Sequence, residues 1–284
     1  MRSSLFRAVS SLAALTALAV PATADPPRVV ADIPVTASLV AAVLGDLGAP
    51  QILVAAGQDA HDLQLKPSQA TGLQNADLLV WIGPQMTGWL ESAARGLDPT
   101  HVLTLLEVPG TVLREFAPAS GPVQHRHDPH DEAQDGHPAH DGIDPHAWLD
   151  PANGQIWLNT IARELSARDP ANAAAYAANA QAAAARLADL DGRIAAQLQP
   201  VAGKGFVVSH GAYGYFTDHY GLTPALAVAG VSGGAPGAAH LSDLRAQLSA
   251  GAAACAFPEA NHDARGLRMA IEDTDVRLGD PLDK

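Results

Sequence analysis

Three histidines and one aspartate are the residues best placed to do chemistry. His61, His146, His210 and Asp280 are each predicted to follow a short strand or to lie in a loop that leaves one. In open α/β sheets, ligands bind beyond the carboxyl ends of strands. Imidazole nitrogens and carboxylate oxygens suit zinc, which prefers four ligands in a tetrahedron. These four residues are therefore candidate metal ligands, although any one histidine taken singly is more often an ordinary polar residue.

Each candidate ligand has polar neighbours that could hold it in place. The ring nitrogen that does not bind a metal is usually held by a carboxylate or another acceptor. The residues in a position to do this are Asp59, Asp62, Asp144, Ser209 and Glu259. One aspartate among the four ligands would leave the bound zinc ion with a single net positive charge.

The composition excludes several other kinds of site. Cys255 is the only cysteine, so a disulfide framework and a zinc site built from several thiolates are both excluded. Twelve histidines are available instead. The formal net charge of −13 argues against nucleic acid or anionic lipid as a partner. A hydrophobic content of 48% is sufficient for a large core.

The first 24 residues have the pattern of a signal peptide. Arg2 and Arg7 precede an apolar run over 8–20, and Ala22 and Ala24 give the small-residue pattern that a signal peptidase requires. A buried helix or a membrane anchor is the alternative, but the run is short for a span of about 20 residues. We therefore expect export to the periplasm with cleavage near Ala24. The cleavage site has no cysteine, which favours a periplasmic protein without a lipid anchor.

Short apolar runs alternate with helical patterns on both sides of the chain's centre. Such alternation predicts βαβ units and parallel sheets, and hence an α/β fold. The first half has predicted strands at 28–33, 51–55, 77–83 and 101–106, with helices at 34–47, 67–75 and 89–95. The last part has predicted strands at 205–209, 225–229, 253–257 and 275–278, with helices at 210–220, 242–250 and 264–273.

Two unusual segments separate these halves. Residues 124–141 hold five histidines among acids and prolines and are predicted to form a surface loop. After a helix at 152–168, Asp169 and Pro170 read as a helix cap, and the alanine-rich stretch 171–198 predicts one long helix. The predicted organisation is an N-terminal lobe at 25–170, a linking helix at 171–199 and a C-terminal lobe at 200–284. Trp148 and Trp157 are predicted to lie in the core.

Four stretches around the candidate ligands carry a family resemblance. They are GQDAHDLQLKPS at 57–68, DPHAWLDP at 144–151, VVSHGAYGYF at 207–216 and GDPL at 279–282. In this order and spacing they resemble the zinc- and manganese-binding solute-binding proteins of ABC importers, over about residues 28–282. The resemblance implies two lobes with four-stranded, mostly parallel sheets, joined by one long rigid helix, with the metal between the lobes. It also implies that His61, His146, His210 and Asp280 are the metal ligands.

The third ligand position favours zinc over manganese. Manganese members of that family typically have glutamate there, whereas this chain has His210, and imidazole suits zinc better than the harder manganese ion. The expected function is therefore high-affinity zinc binding in the periplasm and delivery of Zn²⁺ to an ABC permease. A periplasmic zinc donor is a further candidate partner, and we expect a monomer that is not an enzyme. A manganese carrier and a zinc hydrolase are the alternatives.

Two further features bear on this interpretation. The histidine-rich loop resembles that of zinc members, and it is either a weak zinc collector or a solvated loop with incidental affinity. The chain also ends four residues after Asp280, earlier than the family usually does. The C-terminal lobe is therefore expected to be shortened at its end.

Overall fold

A computed structural model describes residues 25–115, 142–231, 236–260 and 263–282. The predicted signal peptide and the predicted histidine-rich loop lie outside these described residues. Among the described helices, none is both long enough and apolar enough to cross a membrane.

The first half of the chain builds one parallel sheet. Its strands run in the order β2-β1-β3-β4, and every neighbouring pair is parallel. The elements are β1 (Val29–Ala31), α1 (Pro34–Leu44), β2 (Gln51–Ile52), α2 (Pro67–Gln74), β3 (Leu78–Trp81), α3 (Glu91–Arg95), β4 (Val102–Thr104) and α4 (Pro151–Arg168). The buried strands β1 and β3 are short apolar runs, as expected for a sheet covered on both faces.

The last part of the chain repeats this architecture. Its strands run in the order β6-β5-β7-β8, again with all pairs parallel. The elements are β5 (Phe206–His210), α6 (Gly214–Tyr220), β6 (Leu226–Ala229), α7 (Ala238–Ser249), β7 (Cys255–Phe257), α8 (Arg265–Ile271) and β8 (Arg277–Leu278). Two four-stranded parallel sheets with flanking helices confirm the predicted fold class.

The predicted long helix is α5 (Ala173–Leu198), which packs along α4 and α1. Short 3-10 turns at Pro170–Asn172 and Gln199–Val201 extend it at both ends. With these turns the helix runs over residues 170–201, so the prediction of one long helix is confirmed. Asp169 occupies the N-cap position of this first turn and Pro170 begins it, as predicted. The Asp169 carboxylate accepts hydrogen bonds from the side chains of Asn172 and Tyr176.

The end of β5 differs from the sequence-based prediction. We predicted that the strand would stop at residue 209 and that a helix would begin at His210. The backbone of His210 instead pairs with Ala229 of β6, and the following Gly211 N–H donates to the Ala229 carbonyl. Helix α6 begins only at Gly214. His210 is consequently the last residue of its strand, at the carboxyl edge of the second sheet.

A buried carboxylate joins β1 to the chain that leaves β3. Asp32 is fully buried just after β1. Its Oδ1 accepts from the Ile33 N–H at 2.9 Å, and its Oδ2 accepts from the Ile82 N–H at 3.0 Å. The Thr87 hydroxyl lies 3.4 Å from the same Oδ2. Burial raises the pKa of Asp32 to about 6 from an ordinary value of 3.8, against the opposing effect of these hydrogen bonds.

We expect Asp32→Asn to lower the free energy of unfolding at pH 7 by about 2 kcal/mol, because the amide NH₂ would face a buried backbone donor. Because the folded pKa of Asp32 lies above the unfolded one, its protonation adds stability as pH falls. Between pH 7 and pH 5 the native protein should gain about 1 kcal/mol that the variant does not. Urea unfolding of the native protein and of the variant at both pH values measures the difference between their unfolding free energies, with exposed Asp46→Asn as control. A difference that is the same at pH 7 and pH 5 would contradict the raised pKa of Asp32.

Candidate metal centre

The three predicted histidines come together from three different parts of the chain. His61 lies in the loop between β2 and α2, His146 just before the 3-10 turn Ala147–Leu149, and His210 at the end of β5. Each offers one ring nitrogen, and these nitrogens all lie within 4.8 Å of one another. His146 and His210 are buried, while His61 is half-buried. Donors from both sheets therefore converge on one point.

The spacing of the two buried imidazoles matches that of zinc ligands. Their Nε2 atoms are 3.4 Å apart. Two nitrogens that each lie about 2.0–2.1 Å from a tetrahedral zinc ion are separated by roughly 3.3 Å. The ring centroid of His61 lies 5.6 Å from that of His146 and 6.5 Å from that of His210. The imidazoles of His146 and His210 are therefore already at the spacing of two zinc ligands, and the ring of His61 lies beside them.

A buried carboxylate orients His146. Asp144 Oδ1 lies 2.8 Å from His146 Nδ1 and also accepts from the backbone N–H of His146 at 3.0 Å. Both side chains are fully buried. A carboxylate at Nδ1 favours the tautomer with its proton there, which directs the lone pair of Nε2 toward the shared point.

A second buried carboxylate does the same for His210. Glu259 follows β7, the strand beside β5, and its Oε1 is in close contact with His210 Nδ1. The side chains are 5% and 2% exposed, so water does not screen this pair. Both buried histidines are thus held through Nδ1 and present Nε2.

The supporting residue near His61 acts on the backbone. Asp59 Oδ1 accepts from the His61 N–H at 2.9 Å and so shapes the turn that carries the ring. Of the five residues predicted to support the ligands, Asp144 and Glu259 contact an imidazole Nδ1, and Asp59 contacts the backbone of His61, in the described structure.

Asp280 does not join the three imidazoles in this structure. It is exposed in the segment after β8 and lies outside the group of converging ligand atoms found among the described residues. The backbone holds this segment beside β7, because the Gly279 N–H donates to Ala256 O and the Leu282 N–H donates to Pro258 O, both at 2.8 Å. Asp280 is therefore next to the strand that leads to Glu259.

A cavity of about 580 Å³ opens at His61. Its apolar wall includes Ile33, Met86 and Trp148, and Asp59 and Glu259 supply carboxylates. Trp148 was predicted to lie in the core, as Trp157 does, but it is only half-buried and lines this cavity. Its ring centroid lies 5.2 Å from that of His146. Its place two residues after a candidate ligand was the signal that could have revealed this role.

The sequence as a whole identifies the family. The family model "ZnuA: Zinc-uptake complex component A periplasmic" matches residues 29–284. The chain belongs to the ZnuA family. A high-affinity zinc uptake system protein of Paracoccus denitrificans is 49% identical, over 95% of this chain and 87% of that protein. The corresponding protein of Brucella abortus is 31% identical, over 86% of this chain and 80% of that protein.

Solved structures of low sequence identity share the fold. A single-residue mutant of the periplasmic metal-binding protein of Candidatus Liberibacter asiaticus, with manganese bound, has a TM-score of 0.74 at 21% identity, covering 90% of this chain and 88% of that one. The laminin-binding protein of Streptococcus agalactiae has a TM-score of 0.72 at 21% identity, covering 89% and 88%. The predicted fold is therefore confirmed, and the ZnuA family membership confirms zinc uptake as the function and Zn²⁺ as its cargo. The family is a periplasmic transport component.

We expect the buried carboxylates to control zinc affinity in this ZnuA family member. Asp144→Asn and Glu259→Gln should each weaken zinc binding about 10- to 100-fold, because a neutral amide holds the imidazole tautomer less firmly and lowers its basicity. Asp77→Asn, which removes an exposed carboxylate paired with Arg28, is the control for loss of charge alone. Competition with a chromophoric chelator measures the affinity. Unchanged affinity in both variants would mean that the two carboxylates only support the fold.

Proposed function

We propose that this protein binds one Zn²⁺ tightly in the periplasm through His61, His146 and His210, and delivers it to an ABC permease. The observation that carries the proposal is the 3.4 Å spacing of the two buried Nε2 atoms, each on a ring whose Nδ1 faces a carboxylate. This arrangement suits an ion of zinc's size and coordination. The names of the Paracoccus and Brucella relatives, high-affinity zinc uptake system proteins, point the same way.

Three nitrogen ligands favour zinc over manganese. Imidazole suits zinc, whereas manganese prefers sites richer in carboxylate and other oxygen ligands. The alternative of a manganese carrier conflicts with the zinc-uptake family to which the chain belongs, although the manganese-bound Liberibacter structure shows that the fold can accommodate that ion. The nitrogen-rich donor set argues for zinc.

We propose Asp280 as the fourth ligand. The segment that carries Asp280 is hydrogen-bonded to the residue that follows Glu259, since the Ala260 N–H donates to Leu282 O at 2.9 Å. Binding of the ion would require the exposed Asp280 carboxylate to move toward the three imidazoles. Four protein ligands leave no position for a reactive water, which argues against the zinc hydrolase alternative.

The remaining parts of the proposal concern location and organisation. We propose cleavage of the leader near Ala24 and a division into lobes at 25–170 and 200–284, linked by the helix at 171–199. The histidine-rich segment at 124–141 is proposed to collect zinc weakly before the tight site takes it. A periplasmic zinc donor remains a candidate partner, and the protein is expected to act as a monomer.

The three histidines should each be required for tight binding. Alanine at His61, His146 or His210 should weaken zinc binding at least about tenfold, because each substitution removes one of few ligands. His101→Ala, at an exposed histidine outside the centre, should leave the affinity unchanged. A chelator competition titration, with excess Mn²⁺ in a parallel series, measures both affinity and selectivity. Wild-type affinity in a variant removes that residue from the site, and displacement of zinc by Mn²⁺ would favour the manganese carrier.

The role of Asp280 has its own test. Asp280→Ala should weaken zinc binding about tenfold through the loss of a charged ligand. Asp275→Ala, at an exposed carboxylate on the same stretch of chain, is the matched control. If the two variants bind zinc equally well, a water molecule or Glu259 completes the coordination in place of Asp280.

A further inference from the structure

Helix α6 connects the two buried histidines. It begins four residues after His210. From there it reaches the segment of residues 144–150, which carries His146 in the first half of the chain. The contacts fall at both ends of that segment and leave His146 between them.

Tyr215 makes the contact at the near end. Its hydroxyl donates to the backbone carbonyl of Asp144 at 3.0 Å and accepts from the backbone N–H of Arg114 at 2.8 Å. The residue is only 2% exposed and belongs to the hydrophobic core of the first half of the chain, with Trp157 and Leu158. Burial raises the pKa of Tyr215 to about 12, so the hydroxyl keeps its proton and its donor role.

Arg114 strengthens the same end. Its Nε donates to Asp218 of α6 at 2.8 Å, and its guanidinium lies 3.7 Å from the Asp144 carboxylate. The Asp144 N–H in turn donates to the Arg114 carbonyl at 2.8 Å. Asp144 contacts the imidazole of His146. Its own position is fixed by hydrogen bonds to its backbone and by the Arg114 guanidinium beside its carboxylate.

His219 makes the contact at the far end. Its Nδ1 lies 2.8 Å from Asp150 Oδ1, and its Nε2 lies 2.9 Å from Asp191 Oδ1 on α5. The same Asp150 oxygen caps α4 by accepting from the Ala152 N–H at 2.9 Å. One turn of α6 therefore connects the end of the 144–150 segment to α4 and to α5.

We propose that α6 is a brace that sets the spacing between His146 and His210, with Tyr215 as its central positioning residue. The proposal rests on the function proposed above. The brace holds two ligands in place before zinc arrives, beside the half-buried His61 and ahead of the proposed fourth ligand Asp280. Ligands held in place in advance lose less conformational freedom on binding, which raises affinity.

Tyr215→Phe tests the brace, because it removes one hydroxyl and keeps the ring in the core. Tyr176→Phe is the matched control: Tyr176 is also buried, and its hydroxyl donates to Asp169 at 2.8 Å at the start of α5. Both variants should lose similar thermal stability in the absence of metal. Only Tyr215→Phe should also weaken zinc binding, by about tenfold as for other residues that orient metal ligands. It should also alter the visible absorption of the Co²⁺-loaded protein, which reports ligand geometry.

His219→Ala is a second test at the far end of the brace, where the half-buried imidazole contacts Asp150 and Asp191. It should speed zinc dissociation several-fold relative to wild type. Wild-type zinc affinity and Co²⁺ absorption in both Tyr215→Phe and His219→Ala would overturn the proposal. So would equal losses of affinity in Tyr215→Phe and Tyr176→Phe. If the wild-type protein itself fails to bind zinc or Co²⁺ through the imidazoles, the proposed function fails and not the brace.

Discussion

The centre depends on two buried carboxylate–imidazole pairs. Asp144 and Glu259 each engage the Nδ1 atom of a histidine, and neither pair is accessible to water. A buried carboxylate is costly unless it is hydrogen-bonded, and here the hydrogen-bond donor is the imidazole that must present its other nitrogen. The requirement to satisfy a buried charge and the requirement to aim a metal ligand are met by the same contact. The surrounding elements serve chiefly to keep these pairs facing each other.

The fold can place these pairs because the carboxyl ends of parallel strands lie at the same edge of a sheet. His210 ends β5 and Glu259 follows the neighbouring β7, so adjacent strands of one sheet supply both the ligand and its carboxylate. Asp32 occupies the corresponding edge of the first sheet, where its carboxylate accepts hydrogen bonds from backbone N–H groups and not from the imidazole of a metal ligand. His146 comes from neither sheet. The chain leading into α4 therefore needs its own anchorage, and the contacts from α6 supply it.

The sequence predicted much of the fold because alternating apolar runs and an alanine-rich helix are local signals. The strand and helix order was correct throughout the described residues. The end of β5 was misjudged because the pairing of His210 with Ala229 is a contact between distant residues. The roles of Arg114, Tyr215 and His219 were missed for the same reason, as each contacts partners far away in sequence. The convergence of three histidines followed from the family resemblance, since no local pattern brings His61 to His146 and His210.

The position of the cavity determines how an ion would be exchanged. It opens beside His61, while the Nδ1 sides of His146 and His210 face buried carboxylates. An acceptor that enters through this cavity therefore passes the wall that includes Ile33, Met86 and Trp148. Because His61 is the half-buried imidazole at this opening, it would be the first ligand that such an acceptor could replace. The rate at which a chelator removes the ion should consequently depend on whether it fits this passage, and not simply on how strongly it binds the free metal.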